Sequence, residues 1–339
     1  MKSRVTALEV AERAGVSQSA VSRVFTPGAS ASEKTAAKVR RAAMELGYRP
    51  NILARAMVSG KSRMIGLLVA YLNNQFYPEV LEKLSNALQA KGYHVLVFMA
   101  PQIAGDIDHV IQEILDYQVD GIVAASVALS SELTNRCEEA GVPVVLFNRA
   151  QSGDNFSAVT SDNVSGGRKL AEFLVAGGHE KIGYIAGWED ASTQRDREFG
   201  FRAGIEMAGQ QIVAREVGNF AHLQAAEAAR RMFDRPDHPD AVFACNDHMA
   251  FAVMDVLRFE LGLSVPGDVS VVGYDDVPNA AWPAYNLTTV RQSANRMVAE
   301  TVAILVDQIE NQNKEPRRIA LDGPLKVRGS ARIPEGWKT

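Results

Sequence analysis

The sequence predicts an N-terminal all-α helix-turn-helix domain followed by an α/β body of two lobes, each built on an open parallel sheet. Three observations carry that expectation. Charge is segregated along the 339 residues: positions 1 to 62 hold 11 Lys/Arg against 4 Asp/Glu, a net +7, and the remainder holds 25 against 36, a net −11. The basic head shows capping signals at helical spacing. Beyond it, short Val/Ile-rich runs alternate with amphipathic segments of helix length, the mark of βαβ units.

In the head, Thr6 and Glu9 form the S/T-x-x-E pattern of a capping box, starting a helix through Ala14. Gly15 suits the left-handed end of that helix, and Ser17 caps the next, "QSAVSRVF", after a turn of about three residues. At about 100° per residue, Ala20, Val21, Val24 and Phe25 share one side of the second helix. Gln18, Ser19, Ser22 and Arg23 share the other, where a merely solvated face would more often carry Glu and Lys. Ser32 caps a third helix whose Val39, Ala42, Ala43 and Leu46 cover the first two, and Gly47 and Pro50 end it. A helix fits the DNA major groove. Arg23, Gln18 and Ser19 are then the residues expected to reach base edges, with Thr6, Ser17 and Ser22 holding phosphates. A small helical corner with a hydrophilic outer face is the plainer alternative.

"NILARAMV", residues 51 to 58, is capped by Asn51 and is too short to be a stable helix alone, since isolated helices below about 12 residues are marginal in water. Its helix is expected to be conditional. The "GKS" that follows at 60 to 62 is no phosphate loop, because the glycine required five places before Gly60 is Arg55.

From Met64, "MIGLLVAYL", "HVLVFMA", "GIVAAS" and "VVLFNR" read as buried strands separated by "PEVLEKLSNALQAKG" and "DIDHVIQEILDYQV". The pattern restarts with "KIGYIAG", "AVFACND" and "VSVVGYDD". Polar and aromatic side chains gather at the ends of these strands, where open α/β sheets bind ligands: Tyr71, Asn74, Phe76 and Tyr77, then Asn148 and Arg149, then Trp188, Arg195 and Arg197, then Phe220, Asn246, Asp247 and Asp275. Asn and Asp suit sugar hydroxyls and aromatic faces suit ring C–H groups. The same residues also serve as helix caps, Asp247 foremost.

Composition narrows the class. No apolar run approaches the 18 to 20 residues that span a bilayer, and none follows the first charges as a secretory signal would. Cys137 and Cys245 lack zinc or disulfide spacing and fit a reducing cytoplasm. No nucleophile elbow, HExxH pair or Gly-rich phosphate loop is present, which argues against an enzyme.

"VTALEVAERAGVSQSAVSRVF" and "VRRAAMELGYRPNILARAMVSGKS" resemble the DNA-binding head and hinge of the lactose-repressor (LacI/GalR) family of bacterial transcription regulators. The resemblance continues in family order through "DNVSGGRKLAEFLVAGGHEKIGYIAG", "FACNDHMAFAVMD", "VPGDVSVVGYDD", "LTTVRQ" and "VRGSAR". It implies a homodimeric binder of double-stranded operator DNA, a repressor more than an activator, with a periplasmic-binding-protein-like body that senses a small-molecule effector and needs no cofactor. A solute-binding protein of the same architecture would carry a secretory signal in place of the basic head. The resemblance further implies a hinge that folds on DNA in the minor groove, with Met57 at the wedging position where leucine is usual and Ala54 and Arg55 beside it. It places the domains at 1–50 (head), 51–62 (hinge), 63–162 with 291–319 (first lobe) and 163–290 with 320–339 (second lobe). Phe220 occupies a stacking position, Arg195 or Arg197 an anchoring one, and Asn246 and Asp275 contact hydroxyls. Asn148 stands where several relatives have aspartate, which with the nearby arginines favours a sugar acid.

Overall fold

The computed structural model describes residues 5–26, 29–49, 61–70, 72–100, 107–127, 136–151 and 156–337. The hinge residues Asn51, Ala54, Arg55 and Met57, and Tyr71, lie outside the described residues. The chain divides into two compact units at Ser62/Arg63.

The first unit is built from three short helices, Ala7–Ala14, Gln18–Phe25 and Glu33–Leu46. Each starts where a side chain satisfies an orphan backbone N–H. Thr6 Oγ1 accepts from Glu9 N at 3.3 Å while Glu9 Oε2 accepts from Thr6 N at 2.7 Å, completing the capping box. Ser17 and Ser32 cap the second and third helices through Ala20 N and Thr35 N. Gly15 and Gly47 end the first and third with φ of 65° and 67°, which glycine adopts without a Cβ penalty. Val10, Ala11, Val21, Val39, Ala42 and Ala43 form the buried centre, so the apolar side inferred for the second helix does face inward.

The second unit contains two six-stranded sheets. The first holds β1 Met64–Val69, β2 His94–Met99, β3 Gly121–Ala125, β4 Val144–Phe147, β5 Ser157–Ser161 and β11 Arg318–Leu321, in the order 2-1-3-4-5-11 and parallel throughout. The second holds β6 Ile182–Ala186, β7 Ile212–Val217, β8 Ala241–Ala244, β9 Ser270–Asp275, β10 Thr288–Arg291 and β12 Leu325–Lys326, in the order 7-6-8-9-10-12. Its β10–β12 pair is antiparallel, a departure from the purely parallel sheet expected. The interior strands β1, β3, β4, β6, β8 and β9 are buried along their whole length, as sheets covered on both faces require. Edge strands β2 and β7 are partly exposed: β7 carries Arg215 and Glu216, while β2, expected from its apolar run to be buried, leaves Val97 and Met99 at the surface because it pairs on one side only.

Helix Ala294–Glu310 packs on strands β3, β4, β5 and β11, so the chain returns to the first lobe after β10. The return to the second lobe comes after Leu321. The boundary expected at 319 therefore falls inside β11, because Arg318–Leu321 stays hydrogen-bonded to β5. In the second lobe, helix Asn163–Ala176 crosses helix Ser192–Met207 at backbone contact: a Cβ on Gly200 would lie 2.0 Å from Val164 O, and one on Gly167 2.2 Å from Arg197 O.

Candidate functional site

On the head, the second helix presents Gln18, Ser19, Ser22 and Arg23 to the outside, all exposed. Ser17 Oγ and Ser19 Oγ lie 3.0 Å apart, and Arg23 Nε donates to Ser19 O at 3.4 Å. That brace uses Nε and leaves the terminal guanidinium nitrogens of Arg23 without a hydrogen-bond acceptor among the described residues. Thr6 Oγ1 is occupied within its capping box, donating to Glu9 Oε2 at 2.9 Å. A phosphate contact from this hydroxyl would have to displace Glu9, whereas Ser22 keeps its hydroxyl at the surface.

In the body, the carboxyl ends of the strands of both lobes converge on a buried polar cluster. Its centre is Arg197, 2% exposed, on helix Ser192–Met207. Arg197 Nε donates to Asn163 Oδ1 at 2.9 Å and one terminal nitrogen donates to Cys245 O at 2.7 Å. The other terminal nitrogen lies 3.4 Å from Asp275 Oδ1, and the guanidinium stacks 3.7 Å from the centroid of the Tyr274 ring. Asp275 also accepts from Gln292 Nε2 at 2.7 Å and, across the lobe boundary, from Asn74 Nδ2 at 3.5 Å. Burial raises the Asp275 carboxyl above its usual range, and Arg197 is the largest influence opposing the rise. Burial likewise works against the Arg197 charge, yet Asp275 holds that proton more firmly than an ordinary arginine does.

The helix cap expected foremost of Asp247 falls to its neighbour Asn246. Asn246 is the cap, accepting from Met249 N at 2.9 Å. Asp247, one residue later and fully buried, faces β10 instead, accepting from Thr289 Oγ1 at 2.6 Å and Val277 N at 3.0 Å. Burial, then the neighbouring Asp275 carboxylate, push the Asp247 acid upward, and of the two acids it is Asp275 that faces Arg197.

Phe76 begins helix Phe76–Ala90, its backbone N–H donating to Asn74 Oδ1 at 3.0 Å, and its ring stacks on Phe147 at 6.4 Å. Asn148 Nδ2 donates to Tyr77 Oη at 3.0 Å, and Tyr77 in turn pairs with Ser126. Phe220 is buried over Gly187, where a Cβ would lie 2.2 Å from the ring. Four of these strand-end residues, Ser126, Asn148, Phe220 and Asp275, have positive φ (58°, 63°, 59° and 130°), a conformation uncommon for L residues that Gln118, Asn286 and Gln312 also hold elsewhere in the body. Arg195 stands apart: two residues before Arg197 it points the other way round the helix, is exposed, and donates to Asp190 O at 2.7 Å. Gln292, Asn163 and Tyr274 were not singled out by residue type. The available signal was position, since Gln292 and Asn163 each follow a chain crossing between lobes.

A cavity of about 510 Å³ opens beside the cluster, lined by Phe76, Glu79, Asp275, Gln292 and Ala294 among others. One of about 540 Å³ beside Cys137 and Gln308 lies at the amino ends of β4 and β5, the wrong end of the sheet for the ligand crevice of such folds. Among the described residues, no cluster of three or more His, Cys, Asp or Glu side chains is placed to hold a metal ion, and no helix is long and apolar enough to cross a membrane.

Residues 6–51 match the model of the bacterial regulatory proteins of the lacI family, and residues 171–331 match a periplasmic binding protein-like domain. The HTH-type transcriptional regulator CelR of Thermobifida fusca is 34% identical over 96% of this chain and 98% of its own. The ribose operon repressor of Escherichia coli K12 is 30% identical over 96% of this chain and 99% of its own. Among solved structures, the lac repressor dimer bound to operator and the anti-inducer ONPF is similar at a TM-score of 0.87 and 26% identity, over 97% of this chain and 99% of that one. The CelR–cellobiose complex is similar at 0.73 and 32%, over 96% and 100%.

Proposed function

The chain belongs to the lacI family of bacterial regulatory proteins, and from that premise we propose that it is a sequence-specific transcriptional repressor whose hold on an operator is set by a sugar or sugar acid between its lobes. The observation that carries the reading is the buried cluster joining Asn74 of one lobe to Asp275, Arg197 and Gln292 on the other side. Polar groups this deeply buried between two lobes are suited to a hydroxylated ligand that decides whether the lobes close. Cellobiose in the CelR complex is a ligand of that type.

In this reading Asn74, Phe76, Asn148, Arg197, Phe220, Asn246 and Asp275 belong to the effector site together with Tyr71, and Arg195 is left on the outer surface. Gln18, Ser19 and Arg23 read bases, while Ser17, Ser22 and the helix start at Thr6 hold the backbone. Residues 51–62 form the hinge, with Asn51 capping it and Ala54, Arg55 and Met57 entering the minor groove. Two copies bind a two-fold site. Effector and operator each favour one lobe arrangement, so each must change the affinity of the other by the same factor. The protein is not an enzyme and acts in the cytoplasm.

Selection of DNA by the full chain from a random duplex pool tests the reading; recovery of a two-fold symmetric motif is expected, and recovery of unenriched sequence sinks it. Against the selected site, Arg23→Ala is expected to cost roughly 1 to 3 kcal/mol and to relax preference at one base pair per half-site. Anisotropy titrations on single-base variants of the site check this, an unchanged preference profile being the contrary result. Raising salt is expected to weaken binding with a log–log slope of about −0.9 per phosphate neutralised, and Lys34→Ala, which removes an exposed positive charge from the third helix, is expected to make that slope shallower by less than about one phosphate.

A further inference from the structure

Arg197 has its charge balanced inside the protein: Asp275 faces it, and Asn163, Cys245 and the Tyr274 ring occupy its nitrogens and its face. It has no uncompensated charge to offer a ligand. Arg149, at the end of β4, is the opposite case. It is 6% exposed, no carboxylate faces it among the described residues, and its buried Nε has no acceptor. The Trp188 ring of the other lobe has its centroid 5.2 Å from the guanidinium carbon. An aromatic face attracts a cation but offers nothing to accept an in-plane N–H.

The preceding residue has the complementary deficit. Asn148, 3% exposed, spends its amide nitrogen on Tyr77 Oη, while its buried Oδ1 receives no donor. Buried polar atoms are nearly always paired, and a buried cation without an anion is the costliest exception. Adjacent residues where the lobes meet thus offer one cation lacking an anion and one acceptor lacking a donor. The Ala150 N–H donates to Ser192 Oγ of the second lobe at 3.1 Å on the same rim, so whatever occupies Arg149 also bears on closure.

We propose that the cleft is selective for a hydroxylated anion, with a carboxylate or phosphate oxygen on the Arg149 guanidinium and a ligand hydroxyl donating to Asn148 Oδ1. This rests on the reading of the cleft as the effector site and names the ligand's class. Arg149 is then the specificity-determining residue, and Arg197 positions Asp275 and Asn163 around the ligand. An anion lodged between Arg149 and the opposite lobe neutralises a buried charge and bridges the lobes, and so favours the arrangement in which they meet.

The full chain is titrated calorimetrically with d-glucuronate, d-galacturonate and d-gluconate, with d-glucose 6-phosphate, and with d-glucose and d-galactose, at matched ionic strength. Operator affinity is followed alongside. At least one acid or phosphate ester is expected to bind roughly tenfold or more tighter than its neutral counterpart. In Arg149→Gln that preference is expected to disappear, and in Asn148→Asp, which sets a carboxylate beside the anion, to fall below one. A carboxylate-selective and a phosphate-selective result both support the proposal and identify the anion. Neutral sugars binding the wild type as tightly as the anions, or Arg149→Gln retaining the preference, overturns it; if operator affinity still responds to a neutral sugar, the effector reading survives that failure. No change in heat or operator affinity with any of these ligands overturns both.

Discussion

Replacing Arg197 with methionine is expected to remove about 3 to 5 kcal/mol from the stability of the body, because it leaves the buried Asp275 carboxylate without its cation. The loss is expected to depend on pH in a defined direction. Burial already raises the folded-state Asp275 acid, and Arg197 is the main influence holding it down, so the variant raises it further. A folded carboxyl whose pKa exceeds its unfolded value retains a proton that the unfolded chain releases. That proton's contribution is complete below the unfolded carboxylate range and is lost as pH rises through the folded value. The difference between wild type and variant should therefore be smaller at pH 5 than at pH 8. All three tryptophans, Trp188, Trp282 and Trp337, lie after residue 63, so denaturant unfolding followed by their fluorescence reports the body alone. Adding Asp275→Asn to the variant is expected to return most of the loss, since the pair is then removed together. Equal losses at both pH values, with no recovery in the double variant, would show that the methionine acts through packing.

In the proposed reading the same pair makes closure of the lobes sensitive to a small ligand. Asp275 is touched from its own lobe by Arg197, from the chain crossing by Gln292, and from the opposite lobe by Asn74 at the long distance of 3.5 Å. Of these three only the last joins the two lobes, alongside Ala150 N to Ser192 Oγ and Arg149 over Trp188. A ligand that inserts its hydroxyls there replaces one weak bond with several, and the differential affinity it gains is the free energy available to shift the two-state equilibrium.

The head was legible from sequence because its determinants are local. Thr6, Glu9, Ser17 and Ser32 act within three residues of themselves, and the apolar period of eight to fourteen residues fixes the buried side. The apolar strands of the body were legible for the same reason. Strand β5 was not, because "SAVTS" is half polar and its polarity makes sense only with remote partners: Ser157 Oγ accepts from Gln308 Nε2 and Arg317 N at 3.1 Å each, and Ser161 Oγ donates to Gln292 Oε1 at 2.7 Å. The cluster was legible in part. Residue type at strand ends pointed to Asn74, Asn148, Arg197 and Asp275, but Asn163 and Gln292 take their place from the lobe crossings, and the division of labour between Asn246 and Asp247 depends on which amides and hydroxyls come near. Arg149 could be named as a strand-end arginine; that no carboxylate faces it among the described residues is a tertiary fact.

Gly200→Ala is expected to destabilise the body, opposite in sign to the usual effect of this change inside a helix. Propensity alone favours alanine by up to about 1 kcal/mol. Here the new Cβ would lie 2.0 Å from Val164 O and 2.7 Å from Val164 C, atoms of a backbone that no rotamer change can move aside. The reciprocal contact, Gly167 against Arg197 O at 2.2 Å, means the two helices touch along their backbones from both sides. Accommodating one methyl requires the helices to separate, loosening the packing of Gly204 on Ala171 and costing about 1 to 3 kcal/mol or more. The separation would also draw Arg197 Nε away from Asn163 Oδ1, now 2.9 Å apart on facing helices, so the effect should reach the cluster as well as the melting temperature. Glu206→Ala, on the exposed side of the same helix, is the matched control and should stay within about 0.5 kcal/mol of the parent. Tryptophan-monitored unfolding of the two variants separates the cases: a Gly200→Ala protein as stable as wild type would mean the helices cross with slack that their backbone distances do not allow.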